Sequence, residues 1–190
     1  MNVCVFGASS TQIDPSYIAL TETLGEQLAA KGHTLVYGAG GSGLMGAVAR
    51  GMTRGGGHII GVVPSFFKVD GILYEYCDEI VYTDTMRQRK QIMDERSDAF
   101  VVTPGGIGTY EEFFEIYTLR QLARHNKPII IFNINGYYDK LLEVLEYTVK
   151  ERFMQESCLQ LYSVATTPEQ VLVQLAATQD ASQIEDNKYL

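Results

Sequence analysis

Short β-branched runs alternate with longer helical stretches along the whole chain, and no other feature of the sequence limits the fold so tightly. Residues 2–6, 34–37, 58–63, 79–83, 99–103, 128–133 and 162–165 read as strands. Helices are expected between them: from Asp14-Pro15 to about Ala30, over 44–54, 85–97, 109–124 and 137–153, and from Pro168 to about Ala177. Asp14 supplies an N-cap oxygen, and Pro15 sits where a first helical residue needs no N–H. Residues 65–77 show no clear period and read as a loop containing a short turn. Strands separated by helices of this length make parallel βαβ units. The runs Val3–Phe6, Phe100–Val102 and Ile129–Phe132 are apolar without alternation, as strands covered on both faces are. The expectation is therefore an α/β fold: a doubly wound, mostly parallel sheet with helices on both faces. It forms one domain over 1–178 and leaves a loose polar tail at 179–190.

Charge and cysteine content narrow the function. With 15 Lys and Arg against 23 Asp and Glu, the formal charge is −8. A general nucleic-acid binder needs a basic face, so no nucleic-acid partner is expected. No apolar run is long enough for a membrane span, and Met1–Gly7 has neither a basic n-region nor a cleavage site. Cys4, Cys77 and Cys158 are few, odd in number and far apart, which indicates neither a disulfide framework nor a zinc site. A cytoplasmic location is the expectation, with no membrane partner.

In a parallel sheet, ligands bind outside the carboxyl ends of the strands. Three loops there are rich in small residues: Gly7-Ala8-Ser9-Ser10, Gly38-Ala39-Gly40-Gly41-Ser42-Gly43 and Gly105-Gly106-Ile107-Gly108-Thr109. Backbone amides can approach a phosphate where no Cβ intervenes, and a following helix start adds unpaired N–H groups. Together the three loops are expected to cradle a phosphorylated ligand, although tight turns alone also favour glycine. Gly38, Gly40 and Gly43 satisfy G-x-G-x-x-G, but on the second βα turn. The next strand ends Val62-Val63-Pro64-Ser65, with no acid to hold a ribose. A nicotinamide or flavin site is not expected, and the P-loop lysine motif is absent. Thr109-Tyr110-Glu111-Glu112 has the form of a capping box, with Thr109 at N-cap and Glu112 at N3. That reading explains both residues without chemistry. It does not explain Pro104-Gly105-Gly106 and Gly108 in front of them.

Pro104, Gly105, Gly106, Gly108, Thr109 and Glu112 fit the P-G-G-x-G-T-x-x-E motif of the Lonely Guy family, which the chain resembles from about Val3 to Phe153. Tyr37-Gly38 through Gly43-Leu44-Met45-Gly46, the strand Gly57–Pro64 and the helix start Met86-Arg87-Gln88-Arg89-Lys90 resemble three further family stretches. The family's members are cytokinin riboside 5′-monophosphate phosphoribohydrolases, long mislabelled lysine decarboxylases. The resemblance implies hydrolysis of the N-glycosidic bond of a nucleoside 5′-monophosphate, with no metal and no cofactor. It assigns Arg89 and Glu112 as the catalytic pair. It gives Gly105, Gly106, Gly108 and Thr109 to the 5′-phosphate, and Lys90, Glu111 and Thr118 to further substrate contacts. Ser9 and Ser10 are weaker candidates, and Glu115 reads as part of a solvated face. The resemblance also implies a homodimer. The apolar residues Met86, Met93, Phe113, Phe114, Tyr117 and Leu122 read mainly as core, with an interface as the other reading. Residues 65–78 match the family poorly, which leaves the accepted base open. The alternative within the superfamily is a nucleotide binder or molybdenum-cofactor carrier without catalysis.

Overall fold

The computed structural model describes residues 1–67 and 71–186, with side chains described through Ala177. Seven strands form one sheet: β1 (Asn2–Phe6), β2 (Thr34–Tyr37), β3 (Ile59–Pro64), β4 (Glu79–Thr83), β5 (Ala99–Val102), β6 (Ile129–Phe132) and β7 (Ser163–Ala165). Their order is β4-β3-β2-β1-β5-β6-β7, and every pairing is parallel. The order runs outward from β1 in one direction and from β5 in the other. The switch point, where neighbouring crossovers leave a crevice, therefore lies at the carboxyl ends of β1 and β5.

Among the described residues five α-helices lie between strands, α1 (Pro15–Ala30), α2 (Gly43–Arg54), α3 (Met86–Glu95), α4 (Ile107–Gln121) and α5 (Asp139–Lys150), and α6 (Pro168–Asp186) follows β7. Successive strand residues point to opposite faces, and the core divides accordingly. Val3 and Val5 pack with Leu24, Leu28, Met52 and Leu175, beneath α1, α2 and α6. Cys4 and Phe6 pack with Met93, Phe113, Tyr117 and Leu145, beneath α3, α4 and α5. Both faces are covered, as the unbroken apolar runs require. Asp14 caps α1 as expected, accepting from the Ser16 N–H at 2.9 Å. Helices α1 and α2 cross closely because of glycine. A Cβ on Gly25 would lie 2.3 Å from the Val48 carbonyl oxygen, and one on Gly51 2.1 Å from that of Glu22.

Boundaries shift in a few places. Pro64 ends β3 inside the ladder, in register with Thr83. The 65–77 segment carries a 3-10 turn at Ser65–Phe67, and its residues 68–70 lie outside the described residues. Helix α6 reaches Asp186 instead of about Ala177, and of the tail expected at 179–190, residues 187–190 lie outside the described residues. No helix among the described residues is long and apolar enough to cross a membrane.

Candidate active site

Helix α4 is capped three residues earlier than the Thr109 N-cap its sequence suggests. Its N-cap is Gly106, which has no side chain to accept from the first turn. Thr109 is therefore the third helical residue, and Glu112 lies in the second turn. The capping box expected from Thr109 to Glu112 does not form. The reason is local: the chain is already helical at Ile107, and Thr109 is buried against the loop. A Cβ on Gly105 would lie 2.1 Å from the Thr109 hydroxyl oxygen. The N–H groups of Ile107, Gly108 and Thr109 belong to an uncapped helix start, where the backbone dipole favours an anion. A Cβ added at Gly106 or Gly108 would meet nothing within 4 Å, and Ile107 is 85% exposed. The loop is thus open to a ligand along this edge.

A real capping box exists on the neighbouring helix. Thr85 caps α3, its hydroxyl accepting from the Gln88 N–H at 3.1 Å, while Gln88 Oε1 accepts from the Thr85 N–H at 3.2 Å. Thr85-Met86-Arg87-Gln88 carries the Thr-x-x-Gln form of this motif in the sequence. It fixes the start of the helix that carries Arg89.

Arg89 is buried, with its side chain 10% exposed. Its Nε donates to the Val62 carbonyl at 3.2 Å, and its Nη1 donates to Glu112 Oε1 at 2.7 Å. Gly38 makes room for it: a Cβ there would lie 2.3 Å from Arg89 Nη2. Gly38 in the G-x-G-x-x-G pattern therefore accommodates a guanidinium. Burial pushes the Glu112 carboxyl above its ordinary value, against the opposing charge and hydrogen bond of Arg89. Beneath the pair lies Cys4, fully buried, whose thiol is pushed far up by burial and then by Glu112.

Lys90, the next residue of α3, pairs with both Glu111 and Glu115 of α4, the latter at 2.7 Å. Burial works against its ammonium, but the two carboxylates outweigh this and raise its pKa. Glu115, read from sequence as a solvated side chain, is thus tied into the site. Arg87, Lys90, Asp94, Glu112 and Glu115 line a cleft of ≈ 210 Å³ between α3 and α4. Thr118 is exposed, about 10 Å beyond Glu111 along α4 at the usual helical rise, and does not line this cleft.

The second glycine loop does not join the cradle as expected. The N–H groups of Leu44 and Met45, at the start of α2, donate to the Ala8 carbonyl at 2.8 and 3.2 Å. Gly43, at φ +58°, lets the loops meet this closely; a Cβ there would lie 2.4 Å from the same oxygen. The helix start that could have bound phosphate is capped from within. Ser10 lines a smaller pocket of ≈ 150 Å³ with Tyr17, Pro104, Gly105, Gly106 and Tyr137. Ser9 is exposed and does not line it. Of the apolar residues read mainly as core, Met93, Phe113 and Tyr117 are core, whereas Met86, Phe114 and Leu122 are exposed. Among the described residues, no three His, Cys, Asp or Glu side chains are grouped to hold a metal ion.

Comparison with known proteins bears on this geometry. The family model described as "possible lysine decarboxylase" matches residues 45–175. A probable cytokinin riboside 5′-monophosphate phosphoribohydrolase of Oryza sativa subsp. japonica is 41% identical over 91% of this chain and 70% of its own. A cytokinin riboside 5′-monophosphate phosphoribohydrolase of Arabidopsis thaliana is 36% identical over 90% of this chain and 80% of its own. This chain belongs to the Lonely Guy family. In this member, the Lonely Guy stretch M-x-x-R-K falls on the first turns of α3, and P-G-G-x-G-T-x-x-E spans the β5–α4 junction. Solved structures share the fold at lower identity. The molybdenum cofactor binding protein of Rippkaea orientalis aligns with TM-score 0.70 at 21% identity, over 93% of this chain and 94% of its own. The molybdenum cofactor carrier protein of Chlamydomonas reinhardtii aligns at 0.69 and 22%, over 93% and 96%. At this identity the likeness shows the doubly wound fold.

Proposed function

We propose that this chain hydrolyses the N-glycosidic bond of an adenine-type nucleoside 5′-monophosphate, giving free base and ribose 5-phosphate. The observation that carries the reading is the buried Arg89–Glu112 pair, at 2.7 Å, one helical turn from the open N-terminus of α4. The relatives named phosphoribohydrolases support it. Cleavage of such a bond builds positive charge on the sugar ring, and a carboxylate beside the anomeric carbon stabilises that charge or orients water. Glu112 takes this role. Arg89, itself anchored on the Val62 carbonyl, holds the carboxylate in place and its charge opposes the effect of burial on it. Gly105, Gly106, Gly108 and Thr109 receive the 5′-phosphate at the α4 start, so a phosphorylated substrate should be preferred over its riboside. Lys90, which lines the adjacent cleft, and Glu111, paired with it, contact the remaining substrate oxygens. Thr118 is exposed and lies outside the lining of this cleft. With Phe114 exposed one turn away on α4, it fits a homodimer whose partner subunit approaches this helix.

The test is release of free base from AMP and from a cytokinin riboside monophosphate, with the unphosphorylated riboside as control. Base release confined to the phosphorylated substrates is expected. A nucleotide that raises the melting temperature while no nucleoside monophosphate yields free base would establish the carrier or sensor reading instead. Light scattering at assay concentration reports the dimer.

A further inference from the structure

The β5–α4 loop exposes its amides only because its carbonyls are held elsewhere. Three consecutive carbonyls are each bonded by a donor from outside the loop, two from the β6–α5 connection and one from the β1–α1 loop. Thr103 O accepts from the Tyr138 hydroxyl at 2.7 Å, Pro104 O from the Ala8 N–H at 3.0 Å, and Gly105 O from the Tyr137 hydroxyl at 2.7 Å. A trans peptide is planar, so its C=O and the following N–H point in opposite directions. Anchoring Gly105 O on Tyr137 therefore turns the Gly106 N–H away from Tyr137. A flip of that peptide would bring the carbonyl oxygen, a negative dipole end, to face an anion. With glycine on both sides, steric resistance to the flip is small.

Tyr137 is itself delivered to this position. Asn135 and Gly136 both adopt positive φ, at +53° and +71°, and turn the chain after β6. The Asn133 side chain then accepts from the Tyr138 N–H at 2.7 Å and donates to Asp139 at 2.7 Å. The Tyr137 ring packs edge-on against Tyr17 and Tyr138. It forms a wall of the ≈ 150 Å³ pocket beside Gly105 and Gly106. One edge of its ring is exposed, while its hydroxyl donates to the Gly105 carbonyl and also meets the Tyr110 hydroxyl of α4.

We propose that Tyr137 is a positioning residue that fixes the Gly105–Gly106 peptide in the orientation that binds the substrate's 5′-phosphate. The proposal rests on the nucleotide reading given above. Tyr138 provides the contrast, because its bond goes to the Thr103 carbonyl and the next residue, Pro104, has no N–H to orient.

The experiment compares wild type with Tyr137→Phe and Tyr138→Phe. It uses calorimetric binding of inorganic phosphate and of ribose 5-phosphate, and steady-state kinetics with AMP and adenosine. Loss of one neutral hydrogen bond should weaken phosphate and ribose 5-phosphate binding by Tyr137→Phe about three- to tenfold. KM for AMP should rise by the same factor while kcat stays close to wild type, and adenosine, the unphosphorylated control, should release no base with either protein. Tyr138→Phe should lower the melting temperature and leave phosphate affinity unchanged. Wild-type phosphate affinity in Tyr137→Phe overturns the proposal, as does an equal loss in Tyr138→Phe, which would mean general loosening of the loop. If the wild type binds phosphate but releases no base, the hydrolase reading falls, and the affinity comparison still decides the role of Tyr137.

Discussion

Replacing Gly38 with alanine tests whether the placement of Arg89 governs catalysis. The new Cβ would lie 2.3 Å from Arg89 Nη2, and ordinary contact begins near 3.4 Å, so the guanidinium must retreat by about 1 Å. Gly38 is not among the glycines with positive φ, so the backbone itself accepts alanine. The fold should survive, since the clash falls on the end of a flexible side chain. Alanine restricts the unfolded chain, worth about 0.4–1 kcal/mol in its favour. Against this stands the weakened bond from Arg89 to Glu112, of a kind worth about 1.5–3 kcal/mol. The net loss is about 1–2 kcal/mol, or a drop in Tm of roughly 2–8 °C for a chain of this size. Catalysis should suffer far more, because a misplacement of about 1 Å in a reacting constellation costs about 10²-fold. The assay is base release from AMP beside a thermal melt. A Gly38→Ala protein that keeps kcat/KM within threefold of wild type would refute the claim that Gly38 exists to seat Arg89.

Glu112→Gln should lower kcat by at least about 10²-fold while nucleotide affinity by calorimetry is preserved, since the isosteric amide still offers Arg89 an acceptor. Burial raises the Glu112 pKa above the ordinary 4.5, so the carboxylate needed for turnover is lost, as pH falls, earlier than for a free glutamate. The acid limb of kcat/KM should therefore lie above pH 4.5, and a limb at or below that value would contradict the assignment. Gly51→Ala should destabilise the fold by about 1–3 kcal/mol in urea titrations, although alanine is the better helix former, because its Cβ meets the rigid Glu22 carbonyl.

The sheet was legible because each strand carries its own signal: a short β-branched run, buried on both sides, bounded by turn residues. The α1 start was legible for the same reason, since Asp14 and Pro15 act on their own neighbours. What failed was the choice between two local patterns of equal form. Thr109 and Glu112 match a capping box as well as Thr85 and Gln88 do, but only the second pair forms one. The difference lies in Gly105 and Gly106, which let α4 begin before Thr109 is reached. The G-x-G-x-x-G pattern misleads for a different reason. Its first glycine answers to Arg89 and its last to the Ala8 carbonyl, partners brought by the fold from other loops and helices. The cluster of Tyr137 and Tyr138 under the β5–α4 loop leaves no local trace either. A tyrosine pair after an Asn-Gly turn looks like any helix start until packing shows what its hydroxyls hold.

Ala8 joins the two glycine loops through a single residue: its N–H goes to Pro104 and its carbonyl to Leu44 and Met45. Neither loop can open without breaking bonds to the other, so the two form one opening unit in the native state. The amides of Ala8, Leu44 and Met45 should then exchange with solvent deuterium at a common rate. Phosphate bound at the β5–α4 loop should slow all three together, although Leu44 and Met45 never touch it.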